Sequence, residues 1–198
     1  MLEARFESAL AHREATPNTY VSIREISERG MIDLRGLASD RKFMAAAKAV
    51  LSLDLPKQPR TSATWGDVKA LWLSPDQWLI TCARAKAQSI ADELAAALSD
   101  IHALGVNVSD MRAIIRLEGM RVREVVMKGS TLDLTNESYM PGTVRRMRFA
   151  EVAALLHIVE ENTVDIYVFR SYADYCWDFL LKAARKGSEV AALNRTSS

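Results

Sequence analysis

MIDLRG at residues 31–36 leads through one helical pattern to LDLP at 53–56, and IIRLEG at 114–119 leads through another to LDLT at 132–135. Each copy reads as an alternating strand that ends in Leu-x-Gly. The glycine lets the chain turn sharply into a helix, and the LDL segment brings it back toward a sheet. The two modules are offset by about eighty residues, the signature of an internal duplication.

Reading outward from the first copy, YVSIREI at 20–26 alternates as a strand that Gly30 interrupts before the strand at 31–36. Ser39 caps a predicted helix whose apolar positions Phe43, Met44, Ala47, Val50 and Leu51 keep helical spacing. A loop bounded by Pro56 and Pro59 leads to the hairpin LWLSPDQWLI at 71–80. A helix over about 86–98 follows, with Ile90, Leu94, Ala97 and Leu98 inward.

In the second copy the strand at 113–119 is followed by a short helix with Val122, Val125 and Val126 inward, stopped by Gly129 as the residue after its C-cap. VRRMRF, VAALLHIV and TVDIYVF supply strands within 144–169, with Glu160-Glu161-Asn162 as a turn. Ser171 opens a last helix with Asp174 three residues on, carrying Tyr172, Tyr175, Cys176, Phe179 and Leu180 on one stripe. The predicted fold class is α+β, two duplicated ferredoxin-like βαββα halves at about 31–98 and 114–185. They are expected to form a single domain over 19–186, between a flexible N-terminal arm (1–18) and a flexible C-terminal tail (187–198).

The hairpin bears on function. With Ser74–Gln77 as its loop and Pro75 presetting φ, Leu73 faces Trp78 and Trp72 faces Leu79. Alternation then places Leu71, Leu73, Trp78 and Ile80 on one face, and Trp72 and Leu79 on the other. Both faces are apolar, so the second is covered by the rest of the chain or by another protein. Trp72 and Leu79 are the candidate partner interface.

Composition narrows the remaining classes. The chain has 198 residues, 49% of them hydrophobic, enough for a sizeable core, and 26 basic against 25 acidic residues give no global pull toward nucleic acid or an anionic membrane. Apolar stretches are too short to span a bilayer, and the charged first residues are unlike a signal peptide, so a cytoplasmic location is expected. The two cysteines, Cys82 and Cys176, are far apart and read as buried small hydrophobes.

His12, His102 and His157 sit in different elements without metal-ligand spacing, and no nucleophile elbow, phosphate loop or dinucleotide fingerprint occurs. Arg145, Arg146 and Arg148 share a strand, and Arg112, Arg116, Arg121 and Arg123 flank a strand-helix corner. Alternation divides the first group between two faces, which favours salt bridges and solvated surface over a nucleic-acid groove. Asp67, after Gly66, reads as a turn residue.

MIDLRG, LWLSPDQWLI, RLEG followed by VMKGSTLDL, and DIYVFRSYADYCWDFLL together resemble the gamma subunit family of heterotetrameric sarcosine oxidase over about residues 20–186. The resemblance implies an aminomethyltransferase-like (folate-binding domain) fold without the C-terminal barrel. It also implies a non-catalytic structural subunit beside alpha, beta and delta subunits, in a complex that oxidatively demethylates sarcosine to glycine. FAD, FMN and NAD are then held by the alpha and beta subunits, and tetrahydrofolate receives the one-carbon unit in alpha; no catalytic, cofactor or metal residue falls on this chain. Where aminomethyltransferases carry paired acids, this sequence has Gly66-Asp67, so no folate site is carried onto Asp67. An N-methylglutamate dehydrogenase-type complex has a similar subunit, and a stand-alone folate-binding aminomethyltransferase-like protein is the further alternative.

Overall fold

The structure, a computed structural model, describes residues 6–14, 18–136 and 138–190. In chain order the elements are β1 (Ser22–Glu25), β2 (Arg29–Arg35), α1 (Arg41–Leu51), β3 (Ser62–Trp65), β4 (Val68–Ser74), β5 (Gln77–Ala83), α2 (Ala87–Ala97), β6 (Leu104–Asn107), β7 (Arg112–Glu118), α3 (Val122–Met127), β8 (Val144–Phe149), β9 (Val152–Glu160), β10 (Thr163–Phe169) and α4 (Ala173–Ala183). Short 3-10 turns, Arg84–Lys86 and Arg170–Tyr172, lead into α2 and α4. The result is a mixed α+β fold with two antiparallel sheets, in two compact units. No helix among the described residues is long and apolar enough to cross a membrane.

One unit comprises Glu28–Met111 and Gly142–Arg146. Its sheet runs β3-β4-β5-β2-β6. Ile32 and Leu34 of β2, Ala70 of β4, and Trp78 and Ile80 of β5 project onto Phe43, Ala47 and Leu51 of α1 and Ala91 and Leu94 of α2. The α1 contacts recur every four residues, so one stripe of the helix meets the sheet. Asp40, not Ser39, caps α1: its extended backbone lets the carboxylate accept the amides of Lys42 and Phe43 at 2.8 and 3.3 Å. Gly30 lies inside β2 rather than breaking it.

The other unit comprises the described residues up to Ser27, Arg112–Pro141, and Met147 onward. Its sheet is ordered β1-β7-β10-β9-β8. Ile115 and Leu117 of β7, Val164, Ile166 and Val168 of β10, and Leu156 and Ile158 of β9 share a core with Val125 and Val126 of α3 and Cys176, Trp177 and Leu180 of α4. Tyr172 and Tyr175 are 45% and 43% exposed, contrary to the predicted stripe. The 3-10 turn delays the start of α4 to Ala173, and the buried line becomes Ala173, Cys176, Trp177 and Leu180.

The described residues of the N-terminal arm make specific contacts with their unit. In the arm, Leu10 is 2% exposed, Ser8 donates to Glu25 at 2.6 Å, and Arg13 reaches Asp174 and Asp178 of α4 at 2.6 and 2.9 Å. Residues 1–5 and 15–17 of the arm and 191–198 of the tail lie outside the described residues.

Two glycines mark close approaches. A Cβ on Gly36 would lie 2.5 Å from the Phe43 ring, and one on Gly129 would lie 2.6 Å from Phe149 and 2.7 Å from Phe179. Gly129 is therefore required by packing, and it does not take the left-handed C-cap conformation read from the sequence. We predict that Gly36→Ala lowers stability by about 1–3 kcal/mol through overpacking. Denaturant melts of the two proteins measure the difference, and equal midpoints would contradict the tight Gly36–Phe43 contact.

Candidate functional site

The β4–β5 hairpin differs from its predicted register. Ser74 pairs with Gln77 across a two-residue turn, and a shift after Trp72 sets Trp72 opposite Trp78 and Leu71 opposite Leu79. Trp72 and Leu79 thus lie on opposite faces. The tighter turn is fixed by Ser74, whose hydroxyl donates to Asp76 at 2.6 Å, and by the Gly36 amide, which donates to the Asp76 carbonyl at 3.1 Å.

On the helix side, Trp78 is fully buried. Its ring centroid lies 5.7 Å from that of Phe43, and its indole N–H donates to the Pro56 carbonyl at 2.8 Å. Trp72 is half-buried against the same core. On the other face Leu71, Leu73 and Leu79 are all buried, Leu79 at 1% exposure. Leu79 therefore offers no open surface, and the shared patch expected of it and Trp72 is corrected. The exposed large apolar residues of this unit are Leu37, Trp65, Leu104, Val106 and Met111. Leu37 and Leu104 flank a surface hollow that Arg35 and His102 also line. Sequence periodicity missed Leu104 and Val106 because β6 is only LGVN.

The chemistry-bearing residues are largely engaged within the fold. Asp67 occupies the β3–β4 turn after Gly66, whose φ is +56°. Burial tends to raise its pKa, but the hydrogen bond and charge of Arg29 outweigh this and hold the carboxyl below its usual range. Arg29 also donates to the Asp67 carbonyl at 2.6 Å. A lone carboxylate clamped in this way does not fit a paired acid site for a folate amine.

Cys82 and Cys176 are buried, and desolvation pushes both thiols up, Cys176 to about 11, so both are protonated at neutral pH. Arg116 of β7 forks onto Asp165 of β10 at 2.6 and 2.8 Å. Arg148 pairs with Glu151, and Arg146 donates to Gln77 at 2.9 Å. Arg116, Arg146 and Arg148 are thus each engaged within their own unit. His12 meets Asp174, His102 is exposed and His157 is buried on β9; no group of three His, Cys, Asp or Glu side chains among the described residues is placed to hold a metal ion.

A dense polar cluster surrounds Glu124 on α3, which is 5% exposed. Its carboxylate accepts from Arg121 Nε at 2.8 Å, Tyr20 Oη at 3.1 Å and the Val190 amide at 2.8 Å, and lies 3.5 Å from Lys128 Nζ. Burial acts to raise the Glu124 pKa, but the Val190 amide, Arg121 and Tyr20 together draw it below the ordinary range. Burial pushes the Tyr20 phenol up, keeping it a donor.

A depressed folded-state pKa means that the ionised carboxylate stabilises the fold. That contribution is complete above the unfolded glutamate value of about 4.3 and is lost as pH falls through the lower folded value. Glu124→Gln is predicted to lower stability at pH 7 by about 1–3 kcal/mol, by stranding its cationic partners. It should also flatten the acid limb of stability against pH, and urea melts between neutral and acid pH measure both effects. An unchanged acid limb would mean that Glu124 carries no stabilising charge.

Comparison with known proteins places this arrangement. Residues 35–186 match the sarcosine oxidase, gamma subunit family. The sarcosine oxidase subunit gamma of Corynebacterium sp. (strain P-1) is 27% identical over 166 residues, which span 82% of this chain and 79% of that protein. A chain in the structure of heterotetrameric sarcosine oxidase from Corynebacterium sp. U-96 in complex with pyrrole 2-carboxylate superposes with a TM-score of 0.83. It is 22% identical, and the match covers 93% of this chain and 97% of that one. The glycine cleavage system aminomethyltransferase T from Bartonella henselae shares the fold at a TM-score of 0.62 and 12% identity, over 83% of this chain and 46% of that chain. The match over most of its length shows that this chain belongs to the sarcosine oxidase gamma subunit family.

Proposed function

We propose that the chain is the gamma subunit of a heterotetrameric sarcosine oxidase, a structural partner of alpha, beta and delta subunits, and that it does no chemistry itself. Family membership carries this reading. It is supported by the state of the reactive groups: both thiols are protonated, Asp67 and Asp165 are bound to arginines, and Glu124 is neutralised by Arg121 and Lys128. On this reading FAD, FMN, NAD and tetrahydrofolate belong to the partner subunits, and the complex is cytoplasmic. We also infer a duplicated ferredoxin-like origin over residues 19–186. Support comes from the strand order β3-β4-β5-β2-β6 in one sheet, which matches β8-β9-β10-β7-β1 in the other.

We assign Trp72 and Leu79 chiefly to the fold, and the partner contact to Trp65, Leu37 and Leu104, which are 65%, 59% and 49% exposed. A subunit of the oxidase is the occupant. Central interface aromatics commonly contribute about 2 kcal/mol or more, on the order of a thirtyfold change in affinity. Co-expression with the three partner subunits tests the assignment. Trp65→Ala combined with Leu104→Lys should reduce incorporation about thirtyfold with an unchanged melt of the isolated chain. Trp72→Ala should instead lower the melt first. Full incorporation of the double variant would remove both positions, which stand on opposite edges of the sheet, from the interface, and flavin absorbance retained by the washed, isolated chain would overturn the non-catalytic reading.

A further inference from the structure

Beyond α4 the chain turns at Gly187 and runs back past α3, and its hold there is polar. Arg185, Lys186, Gly187, Glu189 and Val190 are exposed, so little apolar burial anchors the segment. Lys128 Nζ donates to the Ser188 carbonyl at 2.6 Å and to its hydroxyl at 3.2 Å, and the Glu124 carboxylate accepts the Val190 amide at 2.8 Å. Lys128 Nζ also donates to the carbonyl of Ala183, the last residue of α4, at 2.7 Å, placing a cation where the helix presents unpaired carbonyls.

The same two side chains hold the N-terminal strand entry. Lys128 donates to Tyr20 Oη at 2.9 Å, and that hydroxyl lies 3.1 Å from Glu124. The two segments are joined through backbone as well. The Tyr20 amide donates to the Ala184 carbonyl at 2.9 Å, the Lys186 amide donates to the Asn18 carbonyl at 3.1 Å, and Thr19 bridges Arg185.

We propose that residues 185–190 form a strap locked by the Lys128–Glu124 pair, and that the same lock fastens residues 18–20, so the two segments open and close as one unit. A segment held by a few polar contacts with little buried apolar area belongs to the least stable part of a fold and opens locally. Here both segments depend on one ammonium and one carboxylate, each half-enclosed by the other's partners. Opening on one side strands a buried charge that the other side also needs, and that shared penalty couples them. The device is independent of the assembly reading, since it involves only contacts inside one unit.

Hydrogen exchange by mass spectrometry on the full chain tests it, with Lys128→Met and Tyr20→Phe beside the unaltered protein. In Lys128→Met, amides of 18–21 and of 186–190 should exchange at least tenfold faster, together, while β9 and β10 keep their protection and so report an intact fold. Tyr20→Phe removes only a hydroxyl that has no bond to 186–190, yet it should also quicken exchange there, and trypsin should cut faster after Arg185 and Lys186. If Lys128→Met proves too unstable to measure, Tyr20→Phe decides alone. Acceleration of only one segment in Lys128→Met, or exchange at 186–190 that is unchanged in Tyr20→Phe, would overturn the shared lock.

Discussion

The central strands β5 and β10 must be covered on both faces, and much of the rest of the fold follows from that requirement. Each carries five consecutive buried residues, Trp78–Cys82 in β5 and Val164–Val168 in β10. One face of each strand meets the helices of its own unit, which is why each sheet has a pair of helices and why their stripes are narrow and apolar. The opposite face is buried too, and there the sequence admits Leu71 and Leu79 in one sheet and the ion pair Arg116–Asp165 in the other. A buried aspartate is tolerable because the arginine fork satisfies both of its oxygens; removal of either partner would strand a charge.

This economy has a functional side. Several groups able to do chemistry are placed where the fold consumes them: both thiols are desolvated, the buried carboxylates of Asp165 and Glu124 are matched with guanidinium or ammonium, and Asp67 closes a turn. Fold and chemistry are separable, so a scaffold of this kind can serve in a family whose relatives include a subunit of a larger oxidase. Surface apolar residues remain in the unit built around β2, at the strand-helix corner, the β3–β4 turn and the β6 edge. An edge strand of four residues with two exposed aliphatic side chains leaves main-chain groups available for pairing, a feature that monomers usually blunt with charge or proline.

The sequence was most informative where both period and length were favourable. The repeat of Leu-x-Gly followed by LDL located β2, α1, β7 and α3, and VRRMRF marked β8 without error. Four-residue strands escape: SATW and LGVN are too short for alternation to stand out, so periodicity marks no element at β3 or β6. The hairpin register failed by one residue because the pairing shifts between Trp72 and Ser74, an irregularity that alternation does not reveal, and one step reverses which side chains are neighbours. The Glu124 cluster is only partly local: Arg121 and Lys128 stand three and four residues away at helical spacing, whereas Tyr20 and Val190 come from distant parts of the chain and only tertiary structure brings them to the same carboxylate.

The two kinds of adhesion in this molecule divide its stability unevenly. Sheets and helices are held mainly by apolar contact, which carries no titrating charge and is not screened by salt, whereas the arm and the strap are held mainly by charge-assisted hydrogen bonds. Arg13 and His12 bind Asp174, whose carboxyl is drawn below its usual range chiefly by Arg13; Glu124 is drawn down mainly by the Val190 amide and Arg121. Both carboxylates are ionised where they hold their segments, so each attachment weakens as pH falls through its depressed pKa. The arm contacts are exposed and screened by salt, while the Glu124 contacts are sheltered, so the two attachments differ in strength though they share a chemistry. Leu10, buried at 2%, gives the arm an apolar peg that the strap lacks, and the strap is accordingly the segment that depends most completely on its polar lock.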